Sequence, residues 1–173
     1  DVLIIKPDFY RDGRGYFFES YNKETFSRNG LLMEFVQDNE SKSKKGVIRG
    51  LHFQSPAFEQ GKLVRVVRGA VLDVAVDIRK NSPWYGKYTT AVLTSENKWM
   101  YWIPAGFAHG FVTLKDGTLF SYKCTQVYDK EHEGCIRWND PDLGIRWGIT
   151  DPVVSARDNQ APLFRDFISP FLY

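Results

Sequence analysis

The sequence is poor in cysteine, poor in histidine and without any long apolar run. Cys124 and Cys135 are its only cysteines and share no CxxC spacing. A disulfide-built scaffold therefore has no basis, and two free thiols in a reducing compartment are the simpler expectation. No apolar stretch approaches the roughly 20 residues of a membrane span. No signal peptide precedes Asp1, so the expected location is the cytoplasm. Glycine phosphate loops, Cys–His zinc spacings and a GxSxG elbow are missing, which removes several enzyme classes. A net charge of +2 is too small to draw the chain to nucleic acid or to a membrane surface by bulk electrostatics. Anions must be met by particular Arg and Lys side chains. Histidine occurs only at His52, His109 and His132, and strand alternation after His52 presents Gln54 rather than another ligand. A metal site needs three or four suitably placed ligands, so no metal is expected.

What the chain does have is aromatic and β-branched residues. Aromatics make up 16% of it, which favours strands and ring-lined cavities over a helical bundle. A length of 173 residues suits one domain, 1–173, with no repeat or low-complexity segment. "GKLVRVVRGAVLDVAVDIRK" holds two β-branched runs joined at Arg68-Gly69. The second run puts Leu72, Val74, Val76 and Ile78 on one face and Asp73, Ala75 and Asp77 on the other. "KYTTAVLT" and "KWMYWIP" flank a Ser95–Asn97 turn. "GFVTL" and "LFSYKCTQVY", joined by Lys115–Gly117, read as a hairpin. "ESKSKKG" reads as a solvated loop, and "NKETFSRNG" as a brief helix with Asn22 as N-cap and Asn29-Gly30 as its stop. Many short strands with Gly and Pro between them predict an all-β sandwich or barrel. From about residue 139 the pattern loosens into a loop-rich tail with one helical turn, the kind of segment that often carries binding groups.

Taken singly, the chemistry-bearing residues are ordinary. His52, in "RGLHFQ", reads as a structural strand histidine, and Lys62, in "QGKLV", as a surface lysine. Tyr122 and Tyr128 are half-buried aromatics on one strand face with Cys124 and Gln126. Arg14 and Arg49 each adjoin a glycine, where a backbone can approach an anion. His109 follows the Pro104–Gly106 turn at a strand start, while His132 reads as solvent-exposed. Pure alternation sets Arg49 and His52 on opposite faces, so a shared site requires a bulge or strand entry at Gly50.

Taken together they resemble one family. "GRGYFFESY", "FVQDN", "SKSKKGVIRGLHFQ", "QGKLVRVVRG", "DVAVDIRKNSPWYGKY", "WIPAGFAHGFVTL", "YKCTQVY", "EGCIRWNDPDLGI" and "SARDNQAP" follow in the order and spacing of the dTDP-4-dehydrorhamnose 3,5-epimerases. The resemblance runs from the N-terminus to about residue 163. It implies a cupin jelly roll (a double-stranded β-helix) that has lost the metal-binding His pair of the first cupin motif. It implies a homodimer with exchanged N-terminal strands and no cofactor. By resemblance His52 is the general base, Asp158 the carboxylate that orients it, Tyr122 the acid and Lys62 the group beside the ketone oxygen. Arg14, Glu19, Gln37, Asp38, Asn39, Arg49, His109, Tyr128, Glu133 and Arg157 match substrate-contact positions. Arg157 departs from the Lys also found there, and Tyr128 stays a second candidate for the acid.

The substrate so implied is a dTDP-linked 4-keto-6-deoxyhexose, epimerised at C3 and C5 through enolates on the way to dTDP-L-rhamnose. A relative acting at C3 or C5 alone would use the same motifs. A non-catalytic sugar-binding jelly roll would lack the base, its carboxylate or the acid, and all three residue types are present.

Overall fold

The computed structural model describes residues 1–173. The elements, in order, are β1 (Leu3–Ile5), β2 (Tyr10–Asp12), β3 (Gly15–Phe17), α1 (Lys23–Arg28), β4 (Gln37–Ser43), β5 (Val47–Gln54), β6 (Lys62–Arg68) and β7 (Ala70–Asp77). They continue with β8 (Tyr88–Thr94), β9 (Met100–Ile103), β10 (Phe107–Thr113), β11 (Thr118–Cys124), β12 (Glu133–Cys135), β13 (Val153–Val154), α2 (Ala156–Asn159) and a 3₁₀ turn at Phe164–Asp166. Two sheets face each other. One has the order β1-β9-β6-β11-β4, the other β12-β5-β10-β7-β8 with β13 beside β5. β2 and β3 form a separate exposed hairpin.

Between β4 and β11 the chain crosses from one sheet to the other at nearly every connection. The sheets are antiparallel except where β13 joins β5. This is a cupin jelly roll, as expected. The α1 helix also matches its predicted span, with Asn22 Oδ1 accepting from the amides of Glu24 and Thr25.

Two local expectations fail. β10 and β11 are not a hairpin, because they lie in different sheets. The turn between them has Gly117 at φ +64° and Lys115 C=O accepting from Thr118 Oγ1 at 2.7 Å. Turn residues announce a reversal but not which neighbour the next strand will find, and here the partners are β6 and β4. The lysine-rich stretch is not a loop either. Residues 40–43 extend β4, an edge strand whose exposed Asp38, Glu40 and Lys42 keep it soluble and discourage edge pairing.

Three apolar clusters hold the chain. Val64, Val66, Val71, Ala75, Ala91, Leu93, Tyr101, Ile103, Phe111 and Phe120 fill the space between the sheets. Ile48, Leu51, Val74, Val76, Ile78, Ala108 and Val112 face the other way and are covered by Ile136, Leu143, Trp147 and Phe171 of the C-terminal segment. Phe26 of α1 packs with Leu63, Met100 and Trp102 on the outside of the first sheet. The division of β7 into two faces is therefore as read from sequence. Its aspartate-bearing face is the interior one, with Asp73 fully buried. That orientation brings the carboxylate of Asp73 into the barrel.

Candidate active site

Strand parity dictates which side chains enter the barrel. On the first sheet, the inward residues Val64 and Val66 share parity with Lys62, and Phe120 shares it with Tyr122 and Cys124. The register sets Cys124 opposite both Lys62 and Gln37, and Tyr122 opposite Asn39. On the facing sheet, His52 lies between His109 and Cys135. At one end of the barrel these rows close around a cavity of about 290 Å³, lined by residues that include Gln37, Asn39, His52, Lys62, Tyr122, Tyr128 and Glu133. His52 thus comes from one wall, and Lys62 and Tyr122 from the other.

His52 is held from behind. Its Nε2 lies 2.7 Å from Asp158 Oδ1. The second carboxylate oxygen accepts from Gly50 N at 3.2 Å, and Asp158 N donates to Ser155 Oγ at 3.1 Å. Asp158 is 3% exposed. Burial alone would raise its pKa, but the hydrogen bond and charge of His52, with the Gly50 amide, outweigh it and hold the carboxyl below its ordinary range. Asp158 therefore stays ionised, fixes the tautomer and orientation of the ring, and can stabilise the imidazolium.

The bulge required at Gly50 is present. His109 pairs with His52 and Phe111 with Arg49, so two residue steps along β10 span three along β5. The extra residue turns Arg49 to the same side as His52. Arg49 Nε donates to Ser43 Oγ at 3.2 Å, which carries the guanidinium across toward β4. Gly50 has φ +136°, and a Cβ there would lie 2.5 Å from Gly110 Cα, which is backbone and cannot yield cheaply. Gly50→Ala should therefore destabilise by more than about 1 kcal/mol. It should also cost turnover, because the displaced amide is the one that binds Asp158. A variant with wild-type melting temperature and activity would show that the bulge is dispensable.

Burial sets the charge states of the opposite wall. It lowers the pKa of Lys62, a half-buried residue that lines the cavity and forms no ion pair with any carboxylate. It raises the pKa of Tyr122, keeping the phenol protonated. At the rim, Tyr128 Oη donates to Glu133 Oε2 at 2.8 Å, and Arg157 Nη1 meets the same oxygen at 2.8 Å. Burial would raise Glu133, but Arg157 and Tyr128 more than offset it and the carboxyl is depressed.

Not every residue named from sequence reaches the cavity. Asp38 has the opposite parity from Gln37 and Asn39, and its carboxylate is paired with Lys123 Nζ at 2.9 Å on the outer face. His109 is 7% exposed and lies deeper than the cavity wall, with Nε2 2.9 and 3.1 Å from the two oxygens of Asp73. Arg14 pairs with Asp12 on the β2–β3 hairpin, and Glu19 binds Asn22, both away from the cavity. His132 is half-buried rather than exposed. It bonds Asp129 Oδ1 through Nδ1 at 2.8 Å and lies against Phe58.

Three cavity residues, Phe53, Gln54 and Gln60, are not among the sequence candidates. Gln54 donates to Phe58 C=O and Val127 C=O and accepts from Asp129 N, tying the β5–β6 and β11–β12 loops together at the rim. Gln60 donates to Gln126 C=O at 2.7 Å. Alternation from His52 points to Gln54, but an amide offers no acid–base signal. No group of three or more His, Cys, Asp or Glu side chains has metal-holding geometry.

Fold and site together define a jelly-roll protein with an acid–base pocket between its sheets. The chain belongs to the dTDP-4-dehydrorhamnose 3,5-epimerase family, whose model matches residues 1–166. It is 54% identical to the Salmonella typhimurium dTDP-4-dehydrorhamnose 3,5-epimerase over 165 residues, covering 94% of this chain and 90% of that one. It is 52% identical to the Methanothermobacter thermautotrophicus enzyme of the same name over 166 residues, covering 94% and 89%. The crystal structure of the Legionella pneumophila dTDP-6-deoxy-D-glucose-3,5-epimerase in complex with dTDP-4-keto-L-rhamnose superposes with a TM-score of 0.91. Its sequence identity is 47%, over 95% of this chain and 88% of that one.

Proposed function

We propose that the protein is an isomerase that inverts C3 and C5 of dTDP-4-dehydro-6-deoxy-D-glucose to give dTDP-4-dehydro-L-rhamnose. The observation that carries this reading is the placing of a carboxylate-backed imidazole on one sheet and a protonated phenol on the facing sheet, with an ammonium beside the phenol. The hydrogens at C3 and C5 flank the C4 ketone, so loss of either gives an enolate whose charge reaches O4. Neutral His52 takes the proton, and Asp158 stabilises the imidazolium. Lys62 meets the charge at O4. Returning the same proton to the same face would only regenerate the starting configuration, so Tyr122 delivers its proton from the opposite wall. The reaction is redox-neutral and calls for no cofactor. Arg49 and Arg157 suit the pyrophosphate through charge-assisted bonds, and the exposed ring of Tyr128 suits the nucleobase.

The test is proton NMR of the 4-keto sugar nucleotide with the protein in deuterium oxide. Deuterium at both C3 and C5 is expected; at one centre only, the protein is a C3 or C5 monoepimerase; at neither, the epimerase reading fails. Lys62→Ala should lower kcat more than it raises KM, by about 2.7–4 kcal/mol, the magnitude of a lost oxyanion donor. A raised KM with intact kcat would make Lys62 a binding group only.

We further propose a homodimer in which the β2–β3 hairpin is the exchanged segment, since β1 lies on its own chain's β9. Support comes from the exposure of Tyr10, Tyr16 and Phe17 on that hairpin, and from the distance of Arg14 and Glu19 from their own cavity. Light scattering at the mass of one chain would contradict it. No helix is long and apolar enough to cross a membrane. We assign the protein to the cytoplasm, in keeping with the free thiols of Cys124 and Cys135.

A further inference from the structure

Tyr128 stands on the cavity wall with a ring that is 52% exposed. Residues 125–132, which carry it between β11 and β12, form no strand or helix and join none of the three apolar clusters. A ring on a segment with so little apolar burial stays in place only if polar contacts hold it. The amide of Tyr128 donates to Gln37 Oε1 at 2.8 Å. The backbone groups on either side, Val127 C=O and Asp129 N, both meet the side chain of Gln54, at 3.1 and 2.8 Å. Two glutamines, one from each sheet, therefore grip three consecutive residues.

Gln54 ends β5 beside β12, 4% exposed and paired in register with Glu133. Its Nε2 gives one proton to Val127 C=O and the other to Phe58 C=O, while Oε1 accepts from Asp129 N. Both donors are thus engaged within the protein, and Gln54 keeps none for a ligand although it lines the cavity. Only a carboxamide of this length supplies two donors and an acceptor here. Glu lacks the donors, Lys and Arg lack the acceptor, and Asn lacks the reach. Glu133, the strand partner of Gln54, accepts from Tyr128 Oη at 2.8 Å. Backbone and hydroxyl of Tyr128 are thereby tied to one cross-strand pair. The other ties of this loop, Gln60 to Gln126 C=O and Ser55 N to His132 C=O, secure its two ends rather than the stretch around Tyr128.

We propose that Gln54 is a positioning residue: it holds Tyr128 at the rim, where the ring meets the nucleotide end of the substrate, and it takes no part in proton transfer at His52. The choice of ligand rests on the epimerase reading; the hold on Tyr128 does not. Loss of Gln54 then weakens binding through Tyr128, because a ring that must be ordered on binding contributes less than one already in place.

Gln54→Met roughly keeps the side chain's length and removes all three bonds. Titration calorimetry with dTDP should show affinity about five- to tenfold weaker, the low end of what an aromatic contact to a base contributes. In a Tyr128→Ala background the same change should weaken it by less than about twofold, since both changes remove one shared interaction. With the sugar nucleotide, KM should rise by more than kcat falls. Unchanged dTDP affinity in a variant of lowered melting temperature would make Gln54 a structural tie only and overturn the proposal. Equal losses in both backgrounds, or a fall in kcat at constant KM, would overturn it too. Amide hydrogen exchange reads the hold without a ligand: residues 127–133 should exchange several-fold faster in Gln54→Met, with β7 and β8 unchanged. If the wild type binds no dTDP, the epimerase reading fails and exchange alone decides. Faster exchange confined to the loop then sustains the hold and discards the ligand, and unchanged exchange overturns both. Should Gln54→Met not fold, Gln54→Glu, which keeps the acceptor for Asp129 N and loses both donors, is read against the same outcomes.

Discussion

His52→Asn is expected to abolish both deuterium uptake and inversion, with turnover down on the order of 10³-fold. Every route to the enolate begins with the loss of a carbon-bound proton. On the proposed mechanism His52 is the base on its wall of the cavity, and Asp158 is engaged with its ring. The introduced carboxamide can still donate to Asp158, so the buried carboxylate is not orphaned and the fold should persist. Thermal unfolding within a few degrees of wild type checks that condition. Substantial exchange at C3 or C5 in the folded variant would mean that another base serves the cavity, and the role of the His52–Asp158 pair would have to be reassigned.

Tyr122→Phe should fail differently. The phenol makes no hydrogen bond within the protein, so its removal leaves no buried partner unsatisfied, and stability should change little. His52 can still form the enolate and return a solvent-exchanged proton to the face it came from. Deuterium should therefore enter the substrate while inverted product falls by about 10²-fold or more. Loss of exchange and inversion together in the folded variant would remove Tyr122 from the acid's role and turn attention to Tyr128. That ring is a weaker candidate, because its hydroxyl is already engaged with Glu133 and stands at the rim.

Much of this site is legible in the sequence where the rule is local. The bulge at Gly50 follows from asking how Arg49 and His52 could share a side, and the pairing of β5 with β10 contains it. The α1 helix follows from its caps. Parity in β4 separates Asp38 from Gln37 and Asn39, although family resemblance alone groups all three. Other features are not local. Which sheet β11 joins depends on strands far along the chain, so the turn signal at Lys115–Gly117 reads as a hairpin that does not form. The partnership of His52 with Asp158 spans 106 residues, and only the "SARD" motif hints at it. The depth of His109 and the charge of Asp73 depend on which face of β7 looks inward, and alternation leaves that sign undetermined.

The C-terminal segment has a dual attachment with a temporal consequence. Its Ile136, Leu143, Trp147 and Phe171 cover the outer face of the second sheet, and the same segment carries Asp158 to His52. β13 adds only a short parallel pairing to β5, so most of the docking energy is this apolar cover. A nascent chain can pair β4 through β11 before these residues emerge, yet its imidazole still lacks the partner that orients it. Docking of the segment joins parts of the chain that are remote in sequence, and such contacts form late. A chain that stops short of Asp158 therefore carries a barrel whose His52 has no carboxylate behind it.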